Sequence, residues 1–188
     1  MKSKLTIFII IAALAAVLAG CGSKGADYPS SSELSKVAPT GSTGDTATED
    51  KSSGKPGKPP KVTGAYGEKP DIATPQGDPP EKLIIKDLKT GTGKAAKNGD
   101  SVTVNYLGLN WSDGKTFDTS FGKDPFTFVL GQGNVIQGWD KGVKGMKEGG
   151  RRLLIIPPDL GYGPNGQGSI PANETLVFVV DLKKVKKG

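Results

Sequence analysis

Leu176, Phe178, Val180 and Leu182 occupy alternate positions near the C-terminus, a period of two that places them on one face of a β-strand. The same alternation runs through Val102, Val104 and Tyr106 within residues 100–109, through Phe126, Phe128 and Leu130, and through Leu154 and Ile156. Residues 83–88 form a further strand candidate, and Asp113-Gly114 marks a turn. Between the strands, Val135, Ile136, Trp139, Val143 and Met146 recur at helical spacing. Gly138, Gly142 and Gly145 fall in the same stretch, and their low helix propensity predicts a short helix. The pattern therefore predicts an α+β domain over residues 81–188, an antiparallel β-sheet wrapped over one short α-helix. A span of about 108 residues is enough for one independent core. No internal repeat is visible.

The pattern changes upstream. Residues 62–80 scatter Val62, Tyr66 and Ile72 among Gly and Pro. Two readings fit: an extended segment packed along the domain edge, which is favoured, or more linker. Residues 22–61 are rich in Ser, Gly, Thr, Pro and Lys and carry no apolar period, as expected of a disordered tether. Forty such residues span about 35 Å r.m.s.. Residues 1–20 read as an export signal, with Lys2 and Lys4 ahead of a short apolar run. The run ends in Leu18-Ala19-Gly20-Cys21, which resembles the bacterial lipoprotein box, in which the cysteine is lipidated and becomes the mature N-terminus. A transmembrane anchor with an incidental cysteine is the alternative. However, the run is short of the roughly 20 residues a spanning helix needs, and the only cysteine of the chain sits at the cleavage position. The expectation is a signal peptide over 1–20, a lipidated linker over 21–61, and an extracytoplasmic lipoprotein held on a membrane through Cys21.

Composition removes whole classes of chemistry. The 188 residues include no His and one Cys. That excludes His-dependent nucleophile arrangements, histidine metal sites and an intrachain disulfide. No cofactor or metal is expected. Every Phe except Phe8, and both Trp, lie after residue 110, so the folded core belongs to the C-terminal part. The formal charge is +6. Much of the excess lies at Lys51, Lys55, Lys58 and Lys61, and at Lys183, Lys184, Lys186 and Lys187. Solvated linker and tail explain these lysines. Attraction to an anionic polymer or membrane surface is the sharper alternative. No aromatic-basic platform accompanies them, so nucleic acid is not an expected partner. Nothing in the sequence indicates an oligomer, and a monomer is expected.

Six runs, in order, resemble the macrolide-binding (FKBP-type) peptidyl-prolyl isomerases. They are Val104-Asn105-Tyr106-Leu107-Gly108, the stretch from Asp113 through Phe117 and Asp118 to Ser120, Pro125-Phe126-Thr127-Phe128, Val135-Ile136-Gln137-Gly138-Trp139, Gly161-Tyr162-Gly163-Pro164, and Ile170 through Asn173 and Thr175 to Phe178. The resemblance implies the family's fold, its activity on Xaa-Pro bonds, and a pocket that takes up a prolyl ring. It implies catalytic roles for Tyr106, Phe117, Asp118, Tyr162 and Phe178, and substrate-binding roles for Phe126, Val135, Ile136, Trp139 and Ile170. In the family an Ile and a Trp share the short helix, the tyrosine matching Tyr162 donates to a bound carbonyl, and the one matching Tyr106 edges the pocket. Proline-containing polypeptides are the implied partners, and macrolide inhibitors the implied competitors. Each residue also has a plainer role: Trp139 and the other apolar members as core, Asp118 as a turn aspartate capping amides. The family pattern is departed from in two rim segments, a short Gly-rich stretch from Tyr162 to Ile170 with Gln167, and a short loop from Thr119 to Asp124 with Phe121 and Lys123.

Residues 161–166 also fit G-x-G-x-x-G, but prolines surround them and no helix follows to face a pyrophosphate. The expected function is prolyl isomerisation of exported proteins. A proline-binding or chaperone module with little turnover is the alternative from a different class, and the residues themselves do not separate the two.

Overall fold

The computed structural model describes residues 57–188. The expected signal peptide, Cys21 and most of the expected linker lie outside the described residues. The sheet runs β3–β7–β8–β4–β5, from β3 (Ile84–Lys89), β7 (Arg151–Ile156), β8 (Leu176–Lys186) and β4 (Ser101–Asn110) to β5 (Thr116–Thr119), with β6 (Phe126–Val129) also paired to β4. All pairings are antiparallel. The β4–β8 pair forms its spine, from Asn110↔Leu176 at one end to Ser101↔Lys186 at the other. A bulge falls between Thr103 and Val104.

Side-chain alternation divides the sheet between two apolar clusters. Val102, Val104, Leu154, Ile156, Leu176, Phe178, Val180 and Leu182 face the one α-helix among the described residues, α1 (Gln137–Val143), whose Trp139 and Val143 complete the core with Met146. Leu107, Leu109, Leu153, Ile155, Val177 and Val179 face the other way. The continuous apolar runs of β7 and β8 follow from this, because both faces of those strands are buried.

The helix is shorter than the helical spacing predicts. Val135 precedes it, Ile136 occupies its N-cap with an extended ψ of 148°, and Met146 lies past its C-cap. The Ile136 carbonyl accepts from the Trp139 and Asp140 N–H groups, so Ile136 as N-cap and Trp139 in the first turn sit on the same short helical element. Gly138 and Gly142 sit inside it. A Cβ on Gly138 would come within 2.4 Å of Ile156 Cγ2, and one on Gly142 within 2.7 Å of Leu154 Cδ2. Spaced i, i+4, the two glycines face the sheet together and let the helix backbone approach β7.

The second sheet face is covered by residues upstream of 81. β1 (Val62–Thr63) pairs with β2 (Asp71–Ile72), and Val62 and Ile72 pack on that face with Ile84 and Leu88. Pairing begins ahead of residue 62: the Gly57 N–H donates to Asp78 O, and Lys58 bridges to Gln76. This segment, residues 57–80, forms a strap fixed by a buried cross-strand ion pair. Arg151 Nε lies 2.6 Å from Asp181 Oδ1, with side-chain exposures of 3% and 0%. Arg151 Nη1 and Nη2 then donate to the carbonyls of Gly64 and Glu68, at 2.8 and 2.6 Å. The Gly67 N–H donates to Asp181 Oδ2, and the Tyr66 hydroxyl to Leu182 O. A buried ion pair is tolerated only when its remaining donors and acceptors are met, and the strap backbone meets them here.

Candidate active site

The sheet face turned toward α1 carries a cage of aromatic rings. Trp139, on α1, meets Tyr106 of β4 and Phe178 of β8 edge to face, both with centroids 5.2 Å apart. Phe117 of β5 meets Phe178 edge-on at 5.4 Å. Phe126 of β6 stands edge-on to Tyr106 and to Trp139, at 6.2 Å from each. These are favoured geometries for ring quadrupoles, worth about 0.5–1.5 kcal/mol per pair beyond area burial. Phe178 and Trp139 are buried, Tyr106 and Phe117 half-buried, and Phe126 is 38% exposed. Five rings thus form one cluster, buried at Trp139 and Phe178 and open to solvent at Phe126.

Gly108 explains how two of the rings fit. A Cβ there would lie 2.6 Å from both Phe117 Cζ and Phe178 Cε1. Phe128, absent from the expected set, stacks on Phe126 at 5.5 Å and meets Trp139 at 5.6 Å from below. Its alternation with Phe126 on β6 was the signal, since a strand inserting one ring into the core presents the other to the pocket edge.

The polar groups form one connected set. The Tyr106 hydroxyl donates to Asp118 Oδ2, and the Thr119 N–H to Asp118 Oδ1 at 2.7 Å. Lys123 Nζ stands 4.0 Å from Asp118 Oδ1, largely in solvent, where such a pair contributes little. The Tyr106 hydroxyl is held well above its ordinary pKa, first by burial and then by its bond to Asp118. Burial, and then the Asp118 charge, likewise raise Tyr162. Both phenols therefore remain protonated donors across the neutral range. Tyr106 spends its proton on Asp118, whereas the Tyr162 hydroxyl makes no hydrogen bond among the described residues.

The rim is built without regular structure. Short 3₁₀ turns at Pro158–Leu160 and Gly163–Asn165 flank Tyr162. The Gln167 and Ile170 backbones bond each other, and the Asn173 N–H donates to Gly163 O. Tyr162, Val135 and Ile136 pack partly buried against the core, and Ile170 is buried at 7% exposure. Across β4–β5, Phe121 packs on the opposite sheet face and so stands away from the cage. Trp139 Nε1 is buried and has no hydrogen-bond partner among the described residues. Residues 161–166 contain a 3₁₀ turn rather than the start of a helix, so they present no phosphate site.

Comparison with known proteins agrees with this geometry. Residues 92–183 match the family model described as FKBP-type peptidyl-prolyl cis-trans isomerase. The chain is 50% identical over 121 residues to the FK506-binding protein of Streptomyces anulatus, covering 63% of this chain and 98% of that protein. It is similar to the crystal structure of FkpA from Escherichia coli (45% identity, TM-score 0.52, 56% of this chain and 48% of that one). It is likewise similar to the crystal structure of AtFKBP13 (35% identity, TM-score 0.52, 56% and 94%). The chain belongs to the FKBP-type peptidyl-prolyl cis-trans isomerase family, and its activity is that isomerisation.

Proposed function

We propose that the aromatic cage accelerates Xaa-Pro isomerisation by stripping water from the prolyl imide, and that the clients are exported polypeptides. Rotation about the peptide C–N bond faces about 18–20 kcal/mol because resonance must be broken. The two Xaa-Pro isomers nevertheless lie close in energy. The planar imide is the more charge-separated form, so water favours it and an apolar cage does not. A site that binds the twisted imide better than either planar form needs no covalent step. A 10⁴-fold acceleration corresponds to roughly 5.5 kcal/mol.

The carrying observation is the arrangement of donors around the cage. Trp139, Phe178 and Tyr106 form its dry floor. Tyr106 holds Asp118 in place, which leaves the Tyr162 hydroxyl as the donor for a flanking substrate carbonyl. In this reading Asp118 orients the rim and complements the imide dipole rather than transferring a proton. The same cage accommodates the macrolide named in the relative from Streptomyces anulatus, FK506, in competition with the peptide. The chain acts as a monomer. The expected lipid on Cys21 holds it at an extracytoplasmic membrane face, where newly exported proline-containing chains pass.

A protease-coupled assay with a short Xaa-Pro peptide tests the site. Isomerisation above the uncatalysed rate, and competition by FK506, are expected. A folded protein that binds the peptide without accelerating it would leave the alternative, a proline-binding module.

A further inference from the structure

The fold gathers eight lysines at one end of the sheet. Three segments distant in sequence meet there. The Ala96 N–H donates to Met146 O, the Gly145 N–H to Ala96 O, and the Glu148 N–H to Lys94 O. The Val185 N–H donates to Glu148 Oε1, and Gly188 lies against the Gly99 carbonyl. Lys94, Lys97, Lys144, Lys147, Lys183, Lys184, Lys186 and Lys187 are therefore neighbours, and all are exposed. None enters an ion pair among the described residues. The acids of this end are turned to backbone amides instead. Asp100 accepts from the Lys97 N–H, and Glu148 from the Val185 and Lys94 N–H groups.

This end is opposite the catalytic rim. Along the β4–β8 spine, Ser101 pairs with Lys186 at the lysine end, while Asn110 pairs with Leu176 at the other. At that other end the Trp111 N–H donates to Thr175 O, just past the Ile170–Asn173 rim. Helix α1 likewise runs from Ile136, beside the cage, toward Lys144.

We propose that the lysine end is a docking surface for an anionic phospholipid bilayer, seating the domain with its pocket directed away from the membrane. The inference rests on the membrane-tethered reading given above. Lipid is favoured over nucleic acid because residues 94–99, 144–148 and 183–188 contain no aromatic side chain on which a base can stack. Ammonium groups are compact point charges without the fork geometry of arginine, suited to a diffuse negative potential. The lipid expected on Cys21 fixes only the end of the chain to the bilayer, and a basic surface attracted to anionic headgroups sets how the domain sits on it.

The test uses residues 22–188, the expected mature chain without its lipid-bearing Cys21, floated with vesicles. Binding is expected to vesicles containing about 30% phosphatidylglycerol and not to neutral phosphatidylcholine, and it should weaken steeply from about 0.05 to 0.2 M salt. Lys94→Gln, Lys147→Gln, Lys184→Gln and Lys186→Gln together should reduce partitioning at least about tenfold. Lys58→Gln, Lys61→Gln, Lys82→Gln and Lys115→Gln remove the same charge elsewhere and should change it less than about twofold. Equal loss in the two variants would reduce the effect to net charge and overturn the proposal. So would binding to soluble polyphosphate with none to the vesicles. Isomerisation of a soluble peptide, measured on the same samples, should be unchanged when vesicles are bound. Loss of activity only on binding would place the pocket against the bilayer and overturn the orientation, whereas absence of activity in solution would count against the catalytic reading alone.

Discussion

The Tyr106 hydroxyl is bonded to Asp118 across the β4–β5 pair, so the one carboxylate beside the cage is committed to an internal partner. Its other oxygen takes the Thr119 N–H. In the proposed mechanism a carboxylate so held orients the rim rather than exchanging protons with substrate. Asp118→Asn should accordingly lower kcat/KM by less than about tenfold, or about 1.4 kcal/mol. A bell-shaped rate profile with a loss of several orders of magnitude in this variant would restore general acid catalysis.

The tyrosines set the pH behaviour. Both pKa values are raised in the folded state, so each phenol keeps its proton more tightly folded than unfolded. The associated stability is therefore fully present below pH 10.0, the ordinary value, and is lost as pH rises through the folded values. The catalytic rate should be flat between about pH 5 and 8, where no His titrates. Chemical denaturation from pH 8 upward should show a decline starting near about pH 10, with a shallower slope in Tyr106→Phe.

Removing the floor should matter more than removing the charge. Trp139→Ala deletes a buried ring shared by four aromatic neighbours. It should destabilise the domain by about 3–5 kcal/mol. At a temperature where the variant remains folded by circular dichroism, kcat/KM should still fall at least about 100-fold, further than in Asp118→Asn. Equal losses in the two variants would contradict the desolvation reading.

The strap should behave as part of the domain. Residues 81–188 alone would expose Leu107, Leu153, Val177 and Val179 and leave Arg151 without its carbonyl partners. Relative to residues 57–188, a loss of several kcal/mol is expected, lowering Tm by about 10 °C or more. Isomerisation per folded molecule should persist, because the cage lies on the opposite face. Equal Tm values for the two lengths would show the strap to be a passive cover.

The ion pair beneath the strap offers a separate measurement. Asp181→Ala leaves a buried guanidinium uncompensated and should cost about 3–5 kcal/mol in urea unfolding. Arg151→Met combined with Asp181→Leu should cost less than the single change, because no charge is left buried. A double variant as unstable as the sum of its parts would show that the strap carbonyls, not the pair, dominate.

The antiparallel strands, the turn at Asp113-Gly114 and the single short helix were legible because apolar spacing reports which face of an element is buried. That information is local. The six motif runs contain the residues whose rings cluster in the structure, Tyr106, Phe117, Phe126, Trp139 and Phe178. Local spacing did not say where the helix starts, because Ile136 is apolar both inside a helix and at its N-cap. It did not reveal that Gly138 and Gly142 are contact surfaces as well as weak helix formers, since that depends on Ile156 and Leu154 across the interface. Alternation with Phe126 marks Phe128 as facing the same side of β6, but its contact with Trp139 depends on where the helix packs. Arg151 and Asp181 read as ordinary charges until the β7–β8 register set them opposite each other under the strap. The lysines of residues 94, 97, 144 and 147 are unremarkable in sequence, and only the loops that join them to the C-terminal strand make them one surface. Burial pattern is written residue by residue, but proximity between distant segments is a property of strand register and loop closure, which no local period encodes.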